Sequence, residues 1–171
     1  MTFERVMVTG HRPQYMSTFQ AAFATSELER LAAKLAAAGT RVGISGMALG
    51  ADRWWADAVI AAGLDLWSFI PFPQQAARWR EVDRAHWQYL RGRAVHEHVT
   101  SLSYSVPALH QRNDDMLDAA DAVIAVWSPS KTTGGTASCV QKAMRRGMPI
   151  IIVDLDAMET SMRMPTTASG R

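Results

Sequence analysis

Short apolar runs of β-like character recur along this chain, and three of them lead into glycine-bearing turns that open helical patterns. The turns read Val8-Thr9-Gly10-His11-Arg12-Pro13, Ser45-Gly46-Met47-Ala48-Leu49-Gly50-Ala51-Asp52 and Thr133-Gly134-Gly135-Thr136. Glycine lets a backbone turn tightly and approach a ligand closely. A helix amino end just beyond presents free N–H groups and a partial positive charge, which suits an anion such as phosphate. Strands that alternate with helices, and are apolar without interruption, belong to a sheet covered on both faces. The chain therefore reads as α/β: a Rossmann-like three-layer α/β/α sandwich with a mainly parallel sheet and right-handed crossovers. Such sheets bind ligands beyond the carboxyl ends of their strands, at a switch in strand order. All three turns begin at or soon after such an end, so one composite anion-binding cleft is expected.

Hydrophobic period and breaker residues place the elements. Strands are predicted at Val6–Val8, Arg41–Ser45, Leu64–Ile70, Ala122–Val126 and Pro149–Val153. Helices are predicted at Ser26–Ala38 (Ser26 as cap, Glu29 three residues later), Ala51–Ala62, Gln75–Arg91, Pro107–Ala119 and Thr136–Arg146. Val95 to Ser103 does not alternate cleanly and fits neither pattern. Residues 1–156 read as one domain, and the polar, Met- and Thr-rich 157–171 as a flexible tail.

With 171 residues and 48% hydrophobic content, a packed core is expected rather than disorder. The net charge of only +2 argues weakly for nucleic acid, so a local basic face would have to carry that case. Cys139 is the one cysteine, which excludes an internal disulfide and fits a reducing, cytoplasmic setting. The amino terminus shows no signal-peptide pattern, and no apolar run reaches membrane-spanning length. His96 and His98 alternate, but no acidic or cysteine cluster stands beside them, so no metal is expected.

Together these residues resemble the SLOG superfamily, which joins the DNA-processing protein A fold to the LOG nucleotide-binding proteins, and within it the small YpsA-like group. The matching elements are Val8 to Pro13, Ser45-Gly46-Met47 with Gly50-Ala51-Asp52, Ile70-Pro71-Phe72 with Gln75 and Trp79, Arg112-Asn113 with Met116, and Gly134-Gly135-Thr136. The resemblance implies a modified Rossmann fold with a nucleotide-related ligand near the glycine turns. Phosphoribohydrolases of the LOG branch carry Pro-Gly-Gly-x-Gly-Thr-x-x-Glu. Here Cys139 takes the place of that glutamate, one glycine spacing differs, and Arg112-Asn113 stands where an Arg-Lys pair is expected.

The expected ligand-binding set is Thr9, Gly10, Arg12, Ser45, Gly46, Gly50, Ala51, Asp52, Arg112, Asn113, Gly134, Gly135 and Thr136. Gly46 to Asp52 is read as a phosphate cradle, Arg12 as a two-pronged phosphate donor, and Gly134 to Thr136 as a second anion site. Asp52 suits either a ribose hydroxyl or the helix dipole, and Asn113 a base or sugar. His11 reads as a surface residue packed on its neighbour, and a general-base role has only its chemistry in favour.

The first functional reading is binding or sensing of a nucleotide, nucleotide-sugar or related phosphorylated ligand, with no other cofactor. The second is N-glycosidic hydrolysis or transfer on a nucleoside monophosphate, with Asp52 as the only candidate catalytic carboxylate. The third is single-stranded DNA binding through Arg78, Arg80, Arg84, Arg91 and Arg93 interleaved with Trp79, Trp87 and Tyr89. The bland alternative for that segment is an amphipathic helix with a solvated basic face. Its tryptophans are also compatible with a homodimer.

Overall fold

The computed structural model describes residues 2–165. Its seven strands form one sheet in the order β4-β3-β2-β1-β5-β6-β7. The strands are β1 (Arg5–Gly10), β2 (Val42–Ser45), β3 (Asp65–Ile70), β4 (His96–Val99), β5 (Ala122–Trp127), β6 (Ile150–Asp154) and β7 (Glu159–Arg163). Neighbours from β4 through β6 are parallel, and only β6 with β7 is antiparallel. The helices are α1 (Thr18–Ala37), α2 (Ala51–Ala61), α3 (Glu81–Arg93), α4 (Val106–Ala119) and α5 (Gly135–Arg145).

The pleat sends alternate residues to opposite faces, and both faces are apolar. Val6, Val8, Ile124 and Val126 pack under α1, α2 and α3, with Leu28, Trp55 and Leu90. Met7, Val123 and Ala125 pack under α4 and α5, with Met116 and Val140. This is the expected three-layer Rossmann-like sandwich. Chain order runs outward from β1 to β4 and then returns to pair β5 with the other side of β1, so the switch in strand order lies between β1 and β5.

Three local readings change. The first helix starts at Thr18, not Ser26. Ser17 and Gln20 form a reciprocal capping box, with the Gln20 N–H donating to Ser17 Oγ at 3.1 Å and the Ser17 N–H to Gln20 Oε1 at 2.9 Å. Two capping boxes compete in this sequence. The earlier one wins because it extends the helix over Ala24, which is fully buried in the core. The third helix starts at Glu81, not Gln75. Residues 72–79 instead make successive tight turns, with i→i+3 bonds from Gln75 to Phe72 and from Trp79 to Ala76. The stretch from Ala157, read as a tail, carries β7, which Thr160 also ties to Glu27 on α1 through its hydroxyl. Residues 166–171 of that tail lie outside the described residues. The ambiguous 95–103 stretch holds the edge strand β4, whose solvent-facing residues explain its broken pattern.

Candidate functional site

A cleft of about 740 Å³ opens at the carboxyl ends of β1 and β5, at the switch in strand order. That volume lies within the usual range for small-molecule sites. The β1 end contributes Thr9, Gly10, His11 and Arg12. The α2 side contributes Ala48 and Asp52, α4 contributes Arg112 and Asn113, and the loop into α5 contributes Gly134, Gly135 and Thr136. Positions 10 and 135 therefore meet on one cleft although they are far apart in sequence.

The expected Gly46–Asp52 cradle is only partly on this wall: Gly46, Gly50 and Ala51 do not line it, nor does Ser45 just before it. Ser45 is fully buried, and its hydroxyl donates to the Asp52 carbonyl at 2.7 Å while accepting the Met47 N–H at 3.1 Å. The Gly46 carbonyl accepts from the Arg112 guanidinium and, at 3.0 Å, from Gln75 Nε2. A Cβ at Gly46 would run into that guanidinium and lie 2.8 Å from Asp52 Oδ2. Gly50 sits in the positive-φ region at +89°, and a Cβ there would lie 2.8 Å from the His11 carbonyl and 2.9 Å from Pro13. The His11–Pro13 segment thus covers the start of α2. The glycines of this turn let protein approach protein, so the phosphate role expected of Gly46 and Gly50 is not supported by their surroundings.

Arg112, on α4, does not lie on an exposed helix face. It is only 8% exposed. It also donates through Nε to Asn113 Oδ1 at 2.9 Å, which orients the amide beside it. Asp52 is likewise 8% exposed and accepts the Ala48 N–H at 3.2 Å. Burial pushes the Asp52 carboxyl upward, against the pull of the Arg112 guanidinium.

His11 is buried rather than on the surface. Its Nε2 accepts the Ser128 N–H at 3.2 Å, which leaves the ring proton on Nδ1. Burial, reinforced by the nearby Lys131, holds its pKa below the ordinary histidine value. A general-base role at Nε2 would require giving up that bond. Cys139, on the core-facing side of α5, is buried, and burial pushes its thiol up.

The loop into α5 has the opposite character to the Ser45–Asp52 turn. Gly134 and Gly135 are exposed, and a Cβ on either would meet nothing within 4 Å. Gly134 has φ +100° and caps α5 without any side-chain hydrogen bond, so the first N–H groups of the helix keep their capacity for an anion. Arg12 is exposed on the same cleft and has no ion-pair partner among the described residues.

Tyr15 and Lys131 are among the lining residues that escaped the sequence reading, with Leu109, His110, Ser130 and Thr132. Tyr15 ends a short 3₁₀ turn, Pro13–Tyr15, and Lys131 lies in the loop after β5. The signal for Lys131 was its place just past a strand's carboxyl end. Tyr15 had the same signal, since it follows the carboxyl end of β1.

The basic, aromatic α3 segment is largely engaged with the rest of the protein. Arg80 and Arg53 both pair with Asp83 at 2.8 Å. Arg84 donates to the Trp79 carbonyl at 3.1 Å, and Arg91 pairs with Glu97 while lying over the Trp87 ring. His98 pairs with Asp115 at 2.9 Å, and the described residues contain no group of three or more potential metal ligands. No described helix is long and apolar enough to cross a membrane.

The chain resembles known proteins in both sequence and fold. It is 29% identical over 111 residues to a UPF0398 protein of Bacillus cereus, which covers 61% of this chain and 59% of that relative. The chain thus spans well under two thirds of the length of the curated relatives it matches. DNA processing protein A of Streptococcus pneumoniae superposes with a TM-score of 0.63 at 18% identity, over 88% of this chain and 50% of that one. A molybdenum cofactor binding protein of Rippkaea orientalis superposes with a TM-score of 0.58 at 19% identity, over 89% of this chain and 77% of that one. Both likenesses show a shared fold. The model of the family described as the YspA SLOG family, named YpsA, matches residues 6–158, nearly the whole described chain. The glycine turns, the uncapped α5 and the switch-point cleft are thus features of a member of the YpsA SLOG family, to which this chain belongs.

Proposed function

We propose that the protein binds a small phosphorylated ligand of nucleotide type in this cleft, as a binding or sensing module. The observation that carries the reading is the amino end of α5, uncapped by any side chain, lining the same cleft as the unpaired Arg12. The N–H groups of Gly135 and Thr136 and the Thr136 hydroxyl would hold phosphate oxygens, and Arg12 would add a charged fork. Asn113, oriented by Arg112, would read the sugar or base. The likeness to a protein named for binding the molybdenum cofactor supports a small-ligand role for this fold without choosing the ligand.

The test is mass spectrometry of gently denatured protein for a co-purified phosphorylated compound, together with calorimetric titration of nucleoside monophosphates. Binding that weakens in Arg12→Ala is expected. Absence of both a bound compound and any titration signal would overturn the reading.

N-glycosidic cleavage is the second reading, and Asp52 favours it as a buried carboxylate on the cleft. It predicts free base from a nucleoside monophosphate, lost in Asp52→Asn. The likeness to DNA processing protein A keeps single-stranded DNA as a competing occupant. That reading predicts steeply salt-dependent retention of an oligonucleotide, weakened by charge reversal at Arg78, Arg80 and Arg84. No retention at low salt removes it.

A further inference from the structure

We infer that Tyr15 and Lys131 select the non-phosphate half of the ligand: the cleft takes a phosphorylated compound carrying a flat heteroaromatic ring, which stacks on Tyr15 while Lys131 leaves that ring for the phosphate. The inference rests on the nucleotide-type reading above and adds to it the residues that hold the ring and reach the phosphate.

Tyr15 lines the cleft and is 56% exposed, so its ring is accessible to a ligand. Its ring meets His11 edge-on, with centroids 6.4 Å apart and planes at 64°. His11 is buried and held by the Ser128 N–H, so it fixes one edge of the Tyr15 ring. The Lys131 ammonium lies 5.0 Å from the ring centroid and donates a long hydrogen bond, 3.4 Å, to the Tyr15 carbonyl. The described residues give Lys131 no carboxylate within ion-pair distance.

An exposed ammonium held by a ring face and one long bond gives up little on leaving. A phosphate offers it full charge and shorter hydrogen bonds. Tyr15 lines the cleft, so a ring face that Lys131 leaves becomes available to a ligand there. Val8, Leu109 and Met116 line the same space, so the wall presents apolar as well as polar surface. The C–H face of a sugar phosphate is smaller and less flat, so it covers less of that surface than a heteroaromatic ring does.

The experiment titrates the intact chain with ribose 5-phosphate and with the adenine, guanine, cytosine and uracil nucleoside monophosphates. It is repeated on Tyr15→Phe, Tyr15→Ala and Lys131→Met, with circular dichroism confirming that each variant is folded. The wild type is expected to bind at least one nucleotide about tenfold more tightly than ribose 5-phosphate, the scale of one stacked base. Tyr15→Phe keeps that preference. Tyr15→Ala abolishes it without weakening ribose 5-phosphate, and Lys131→Met weakens both ligands alike. Equal binding of ribose 5-phosphate and nucleotides by the wild type, or a preference that survives in Tyr15→Ala, overturns this inference and leaves the phosphate site standing. Binding of none of the five compounds, together with the absence of any co-purified phosphorylated compound, overturns both readings.

Discussion

Ser45 to Asp52 and Thr133 to Thr136 each carry the chain from an apolar strand toward a helix through two glycines, and each helix starts without a side-chain cap. In the first turn the space around the glycines is filled by Arg112, Asp52, Pro13 and the His11 carbonyl. In the second, a Cβ on either glycine would meet nothing. One turn therefore holds protein against protein, and the other leaves a helix amino end open on the cleft. The same residue types serve closure in one place and recognition in the other. What separates them is which segment folds over the turn.

The largest test of that contrast is Gly46→Ala. The new methyl must displace a guanidinium that is buried and already bonded to the Gly46 carbonyl. A loss of about 3 kcal/mol in urea denaturation is expected, from overpacking and a disrupted buried donor. An unchanged midpoint would show that the turn is not closed as described. Gly134→Ala comes next. Its φ of +100° and ψ of 177° fall in a region essentially reserved for glycine, so about 1–3 kcal/mol of strain is expected with no steric clash. Its ligand affinity should fall as well, which Gly46→Ala cannot report cleanly.

Arg12→Ala should separate binding from stability. The side chain is exposed and unpaired, so the melting temperature should hold while phosphate-ligand affinity drops about tenfold or more, the worth of a charged hydrogen bond. A fall in melting temperature with unchanged affinity would reverse its assignment.

A smaller effect concerns pH. Burial holds the folded His11 pKa below its ordinary value, with Lys131 adding to the shift and Asp156 opposing it. The unfolded chain takes up a proton near about pH 6.5 that folded His11 refuses. The unfolded state then binds more protons, so this contribution to stability is complete above that pH. It is lost as pH falls from there toward the folded value. The wild type should lose more stability than His11→Gln between about pH 7.5 and about pH 5.5 in urea titrations. Equal losses would mean that His11 does not titrate as its burial requires. The smallest effect is expected for Gly135→Ala, within about 0.5 kcal/mol of wild type, because its backbone is unstrained and the space beside it is empty.

Much of the fold was legible in the sequence because its signals are local. Val6 to Val8 and Ala122 to Val126 announce buried strands by apolar continuity, and Gly39 ends α1 as expected, with φ +99°. The α1 start was misplaced because two capping boxes lie nine residues apart on one helical stretch, and only packing of Ala24 chooses between them. β7 was missed because Glu159 to Arg163 is a mostly exposed edge strand, so it carries no apolar pattern. In the site, Thr9, Gly10 and Gly134 to Thr136 were legible as strand-end turns. The burial of Arg112 was not, because its partners, Gly46 and Phe69, belong to segments remote in sequence.

Sequence alone determined the alternation of strand and helix, the turns at the strand ends and most of the core, since each depends on neighbours along the chain. Only the tertiary structure decided which glycine turn is closed and which is open, and it alone brought Lys131 to within 3.4 Å of the Tyr15 carbonyl across 116 positions. The physical reason is strand order. Pairing β1 with β5 sets the loops that follow them side by side, and no local preference of either loop encodes that proximity.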